Sequence, residues 1–172
     1  MKFVPFKPEH FPILISWFHS EAEVVQWGGP LMHFPLDEPQ LQNLLDECDS
    51  TPPRRMCWMI MEDNLYIGHI ELWFDWRNGN ATVQRVAINP EHRGLGYSKK
   101  MMKLVMEQAF AFPEIFRLEL NVYTFNTAAI KTYTRVGFTH EGTRRSSTLV
   151  GPERWDTAIM AILRDEYRPG GR

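Results

Sequence analysis

The stretch Val86-Ala87-Ile88-Asn89-Pro90-Glu91-His92-Arg93-Gly94-Leu95-Gly96-Tyr97-Ser98-Lys99-Lys100 carries the clearest chemistry in the chain. An apolar run meets a turn signal at Asn89-Pro90, and two glycines then lead into an amphipathic segment. This arrangement suits an anion. A helix opening near Ser98 leaves its first N–H groups without carbonyl partners, and Gly94 and Gly96 let a ligand come close to the backbone. Phosphate fits such a cradle. The helix dipole contributes only about 0.3–1 kcal/mol per favourable charge, so recognition rests on several directed N–H bonds, with Arg93, Lys99 and Lys100 adding charge at the rim.

Of two familiar phosphate loops, the first fails on spacing and the second fits only weakly. A Walker loop needs a glycine, four residues and then Gly-Lys-Ser/Thr, whereas Gly96 is followed by Tyr97-Ser98-Lys99. A dinucleotide fingerprint needs a third glycine where Lys99 stands, and no regular βαβ continuation with an acidic ribose ligand follows.

The elements that must position this loop can be read along the chain. Residues 2–6 read as a first strand, and a helix is expected over 8–20 with Phe11, Leu14, Ile15 and Phe18 on one face. Residues 24–39 read as turns rich in large apolar groups, in which Trp27 and Phe34 either roof a cleft or plug the core. A short helix is expected over 38–48. Strands follow over 56–62 and 66–75, joined at Asp63-Asn64, and a third over 81–89. In the middle strand Tyr66, Ile70, Leu72 and Phe74 alternate with Ile67, His69, Glu71, Trp73 and Asp75, so the second set is expected to face water or a cleft. The long helix from about Ser98 carries Met101, Leu104, Val105, Ala109 and Phe112 on one face. A strand over 116–123, a helix capped by Asn126 or Thr127 and stopped at Gly137, and strands over 139–146 and 156–163 complete the chain.

Arg93-Gly94-Leu95-Gly96-Tyr97-Ser98 resembles the Arg/Gln-x-x-Gly-x-Gly/Ala acyl-CoA loop of the GNAT superfamily of N-acetyltransferases, with Ser98 departing from the last position. Downstream, Asn126 to Phe138 resembles that superfamily's Asn-x-x-Ala-x-x-x-Tyr-x-x-x-Gly-Phe segment. Trp155-Asp156-Thr157-Ala158-Ile159-Met160 looks like the last strand of its amino-terminal and ribosomal-protein branches. The resemblance implies an α+β fold (α/β by some schemes), with 1–172 as a single GNAT-like domain. Its mixed, mostly antiparallel sheet would have about seven strands, splayed between the fourth and fifth and flanked by about four helices.

The implied function is transfer of an acetyl group from acetyl-CoA to a primary amine by direct attack in a ternary complex. By resemblance, Val86, Ala87 and Ile88 would pair with the pantetheine amides, with the acyl carbonyl near Val86. Arg93, Gly94, Leu95, Gly96, Tyr97 and Ser98 would hold the pyrophosphate, Asn126 would contact the pantetheine arm or fix the local backbone, and Tyr133 would point at the sulfur. An amine with a pKa near about 10.4 must shed a proton before it attacks. Many amino-terminal acetyltransferases place a Glu five residues before the helix Asn, and here that position is Asn121. Glu119, on the same strand face, and His69 and Glu71 on the earlier strand are the remaining candidates for the base. The missing Glu motivates an alternative, a catalytically weak GNAT-like module that binds acyl-CoA or regulates. Glu71, Asp75, Glu119 and Asp156 offer negative charge for a cationic acceptor, and Trp27, Trp73 and Trp76 offer apolar walls. A peptide amino terminus, a polyamine, an aminoglycoside and a small metabolite all stay open, as does the oligomeric state.

Composition narrows the partners. With 172 residues, 44% hydrophobic, 23% charged and a net charge of −2, the chain suits a soluble domain with a sizeable core and has no basic field for nucleic acid. Cys48 and Cys57 fit no metal spacing and read as reduced thiols, so neither a metal nor a disulfide framework is expected. No stretch has signal-peptide or membrane-spanning character, and a cytoplasmic protein without membrane partners is expected.

Overall fold

The computed structural model describes residues 1–169. Among them are seven strands and five α-helices, one helix more than the sequence suggests. The strands form one mixed sheet of hydrogen-bonded order β1-β2-β3-β4-β5-β7-β6, the fold class expected from the resemblance. The chain clusters into two compact units, Met1–Trp73 with Gln84–Tyr97, and Phe74–Val83 with the chain from Ser98 onward.

In the first unit β1 (Lys2–Pro5) pairs antiparallel with β2 (Arg55–Glu62), which pairs antiparallel with β3 (Leu65–Asp75). Asp63 and Asn64 join the latter two with φ of 49° and 63°, the left-handed pair that tight hairpins favour. Residues 8–20 do not form one helix. Pro8–His10 is a 3-10 turn, α1 (Phe11–Ile15) is short, and the Ser16 hydroxyl donates back to Ile13 O at 2.7 Å, competing with further helical bonding. A new helix, α2 (Glu21–Gly28), then starts where turns were expected. Ser20 caps it by accepting from Glu23 N, and the Glu23 carboxylate accepts from His19 N. Helix α3 (Glu38–Asp46) follows with Asp37 as its cap. Phe6, Phe11, Leu14, Trp17, Trp27 and Leu41 are among the residues of this unit's core, so Trp27 is a core residue, whereas Phe34 stays 44% exposed.

β4 (Asn80–Ile88) runs through both units, and in the second its first residues, Asn80–Val83, pair parallel with Arg117–Leu120 of β5 (Arg117–Tyr123). The ladder stops at Val83↔Leu120, which is the splay expected between the fourth and fifth strands. Helix α4 (Tyr97–Phe110) follows β4 and buries Met101, Met102, Val105, Met106, Ala109 and Phe110; Met101, Val105 and Ala109 are on the expected face, whereas Leu104 is half-buried and Phe112 lies beyond the helix end. Beyond β5 come α5 (Thr127–Arg135), β6 (Thr139–Val150) and β7 (Glu153–Leu163), with β7 antiparallel to both β5 and β6. The last two strands are longer than expected because the hairpin absorbs irregularities, including Ser146 at φ 53°, instead of ending there. Among the described residues no helix is long and apolar enough to cross a membrane.

Candidate active site

β4 ends at Ile88, Asn89 caps the 3-10 turn Pro90–His92 by accepting from Glu91 N at 3.1 Å, and the chain then passes through the two glycines into α4. Gly94 and Gly96 have φ of 81° and 79°, a conformation that a side chain disfavours. A Cβ at either would meet nothing within 4 Å, so these glycines serve the turn of the backbone and keep its surface open. Arg93, Gly94, Leu95 and Gly96 are exposed, and Tyr97 and Ser98 are half-buried. Arg93 Nε donates to Ile88 O at 3.4 Å, folding that side chain back along the strand end. The N-terminal N–H groups of α4 follow directly, as an anion cradle requires.

The side of β3 that carries His69 and Glu71 is not the water-facing or cleft-facing surface expected from alternation. Both residues are fully buried, because Phe6, Trp27 of α2, Arg55 of β2 and Arg85 of β4 bring side chains over that face. The His69 ring meets Phe6 and Trp27 edge-on at 4.9 and 5.7 Å, and its Nδ1 lies 3.1 Å from the Arg85 carbonyl oxygen. Burial depresses its pKa below the ordinary 6.5 and keeps the ring neutral. Glu71 Oε2 accepts from Arg55 at 2.5 Å and Arg85 at 3.0 Å, while Arg55 also reaches Glu47 and Gln84. Burial alone would raise the Glu71 pKa, but the charges of Arg85 and Arg55 reverse this and hold it below the ordinary carboxylate value. A carboxylate so paired is a poor proton acceptor near neutrality. Cys48 and Cys57 are free thiols whose sulfurs lie 3.6 Å apart.

In the second unit Asn126 caps α5, its Oδ1 accepting from Ala129 N at 3.2 Å, which leaves its amide N–H groups for another partner. Tyr133 sits on the inner face of α5, its ring 6.2 Å from that of Phe138. Burial pushes its pKa up to about 12, so the phenol is protonated at neutral pH. Glu119 accepts from Arg117 Nε at 2.8 Å, and Arg117 also grips Glu141 through two bonds. Glu119 keeps 33% of its side chain exposed. Asn121 Oδ1 accepts from Arg144 at 3.1 Å.

The groups proposed to meet the acceptor are mostly engaged elsewhere. Asp75 accepts from Asn78 at 2.6 Å, Asp156 accepts from Ser146 N at 2.6 Å, Trp73 lies under Arg54, and Trp76 stacks on Phe74 at 4.6 Å. The sequence reading missed the Trp27 indole, which donates to Arg85 O at 2.9 Å, and it missed the ion-pairing partners of Glu71. The Ser20-x-x-Glu23 cap was the available signal for the helix that presents Trp27. Among the described residues no group of three or more His, Cys, Asp or Glu is placed to hold a metal ion.

Known proteins match this chain in sequence and in fold. The model of the acetyltransferase (GNAT) family matches residues 14–138, and the chain belongs to that family. It is accordingly an N-acetyltransferase, an acyltransferase whose cosubstrate is acetyl-CoA. Its relatives include the SPbeta prophage-derived uncharacterized N-acetyltransferase YokL of Bacillus subtilis (strain 168), 26% identical over 137 residues, which are 79% of this chain and 76% of YokL. The spermidine N(1)-acetyltransferase of Vibrio cholerae serotype O1 is 26% identical over 102 residues, covering 59% of this chain and 58% of that protein. The crystal structure of spermidine N-acetyltransferase from Vibrio cholerae in complex with CoA and spermine shares the fold, with a TM-score of 0.82, 18% identity and coverage of 96% of both chains.

Proposed function

We propose that the chain moves the acetyl group of acetyl-CoA to the primary amine of a small cationic acceptor, a polyamine first among them, by direct attack within a ternary complex. The observation that carries this reading is the exposed turn with Gly94 and Gly96 in left-handed conformation, running from β4 into the amino terminus of α4. In this reading the main chain of Arg93 to Ser98 takes the diphosphate, and Val86 to Ile88 pair with the pantetheine amides as an added strand would. The thioester carbonyl lies at Val86, whose N–H meets the oxyanion. The spare amide of Asn126 serves the pantetheine arm. The polyamine preference rests on the spermidine acetyltransferase relative, whose alignment spans 58% of its own length.

Chemistry assigns the remaining roles. The amine arrives protonated, its pKa near about 10.4, and must lose a proton before its lone pair attacks. His69 and Glu71 are buried and committed to neighbours, so neither is assigned that proton. Glu119 retains access to water and takes it, directly or through a water molecule. Attack leaves the nitrogen with a second proton to lose, which passes to water as the tetrahedral intermediate collapses and expels the CoA thiolate, to which Tyr133 donates a hydrogen bond. Holding amine and thioester together supplies much of the acceleration. The cysteine pattern suits a cytoplasmic setting.

A thiol-release screen tests this reading, with polyamines, peptide amino termini, aminoglycosides and small metabolites as acceptors and acetyl-CoA set against longer acyl donors. Turnover highest with acetyl-CoA and a polyamine is expected. No thiol release with any amine would remove the proposal, and turnover confined to peptides would remove its acceptor.

A further inference from the structure

Arg85 stands in the middle of β4 with φ at 49°, a conformation that persists in a strand only where surrounding contacts hold it. Its carbonyl oxygen accepts from Trp27 Nε1 at 2.9 Å and lies 3.1 Å from His69 Nδ1. Both side chains are buried, and the neutral His69 ring carries its proton on Nδ1, facing that oxygen. The Arg85 guanidinium is tied to Glu71 at 3.0 Å and to Gln84 at 3.1 Å. The carbonyl, the φ angle and the side chain are thus held from one side of the strand.

This has a geometric consequence one residue on. Across a trans peptide the N–H points opposite to the preceding C=O. With the Arg85 oxygen drawn toward Trp27 and His69, the Val86 N–H points away from them. The strand register agrees. Asn89 N donates to Ile67 O of β3 at 3.0 Å, and N–H groups alternate between the two edges of a strand, so Val86 and Ile88 present theirs on the edge away from β3.

We propose that Trp27 and His69 are positioning residues for acetyl transfer, which hold the Arg85 carbonyl so that the Val86 N–H is aimed at the thioester oxygen. The proposal rests on the function given above, in which that oxygen lies at Val86. It gives His69 a purpose other than proton transfer and explains why an indole donor from α2 is spent on a strand carbonyl.

Infrared spectroscopy of acetyl-CoA carrying carbon-13 at the thioester carbonyl, bound to the full chain, reads this directly. A hydrogen bond to that oxygen lowers the carbonyl stretch. The wild-type complex should show the lowered band. In Trp27→Phe, which keeps a ring but loses the donor, the band should move at least half of the way back to the free-ligand frequency. The substitution should also lower kcat about tenfold while leaving the acetyl-CoA KM within about threefold, since a whole oxyanion donor is worth about 10²–10³ in kcat. His69→Phe should behave alike, whereas His69→Asn, whose amide can donate from the place of Nδ1, should retain the wild-type band and most of the rate. A wild-type band unshifted on binding would overturn the proposal even if no variant folds. So would Trp27→Phe and His69→Phe variants with unaltered band and kcat. Failure of the wild type to bind acetyl-CoA would instead remove the reading beneath it.

Discussion

Tyr133→Phe removes one hydroxyl from a buried ring, and the structure sets how much that should matter. Burial pushes the phenol up to about 12, whereas a thiol ordinarily ionises near about 8.5. Handing the proton fully to a CoA thiolate would therefore cost about 3.5 pKa units, or ~5 kcal/mol. Tyr133 can share its proton with the departing sulfur but not give it up. Losing a hydrogen bond to a charged group costs about 1.5–3 kcal/mol, which predicts a kcat about 10- to 150-fold lower in the variant. Thiol release at saturating acetyl-CoA and amine, followed from pH 6 to 10, measures it, with the acetyl-CoA Kd expected within about twofold of wild type. The wild-type profile should contain no alkaline limb that vanishes in the variant. Unchanged kcat with chemistry rate-limiting, or such a limb below pH 10, would refute the reasoning. Stability gives a second reading of the same shift. The folded state keeps a proton that the unfolded chain gives up near the ordinary 10.0, so this stabilisation is whole below pH 10 and disappears as pH rises to about 12. Its full size is about 3 kcal/mol, from two units at 1.36 each, and urea titrations at pH 9 and 11.5 should show a loss of about 2 kcal/mol of it in wild type and none in Tyr133→Phe.

Four further outcomes follow from the same structure. Glu71→Gln leaves two buried guanidinium groups short of their shared carboxylate and should cost about 3–5 kcal/mol in chemical unfolding; a loss under about 1 would contradict the buried pairing. Because burial depresses the His69 pKa and arginines depress that of Glu71, stability should decline as pH falls below the ordinary 6.5 and more steeply below the ordinary 4.5, as thermal melts across that range would register. Iodoacetamide should modify half-buried Cys48 well before Cys57, whose thiol is pushed up by its bond with Cys48 and by burial; mass spectrometry showing the reverse order would contradict the packing. Gly94→Ala meets no neighbour, but a left-handed alanine costs about 1–2 kcal/mol; the exposed loop of the free variant escapes this by relaxing and must meet it on binding, so acetyl-CoA affinity should fall about 5- to 30-fold in calorimetry while the melting temperature barely moves.

What the sequence displayed and what it hid divide by range. Gly94, Gly96, the Asn126 cap and the Gly137 stop act on their own few residues, so the loop and α5 were legible from spacing. The hairpin at Asp63-Asn64 was legible for the same reason. Alternation along β3 marked two faces correctly, but it cannot tell a polar face that meets water from one buried under α2 and neutralised by arginines from β2 and β4. The break between α1 and α2 was masked by an apolar pattern that runs on through Phe18, although the Ser20 cap was present. Nothing local to Arg85 announces its left-handed φ, because the groups that hold it come from α2 and β3.

The central claim is that main-chain donors around Gly94 and Gly96 hold the diphosphate of the cosubstrate. Calorimetric titration of the full chain with acetyl-CoA, and in parallel with acetyl-pantetheine, which has the same thioester arm and no diphosphate, tests it most directly. Saturable acetyl-CoA binding at least about a hundredfold tighter than acetyl-pantetheine is expected, since several charge-assisted bonds separate the two ligands. Equal affinity for both, or no binding of acetyl-CoA, would contradict it.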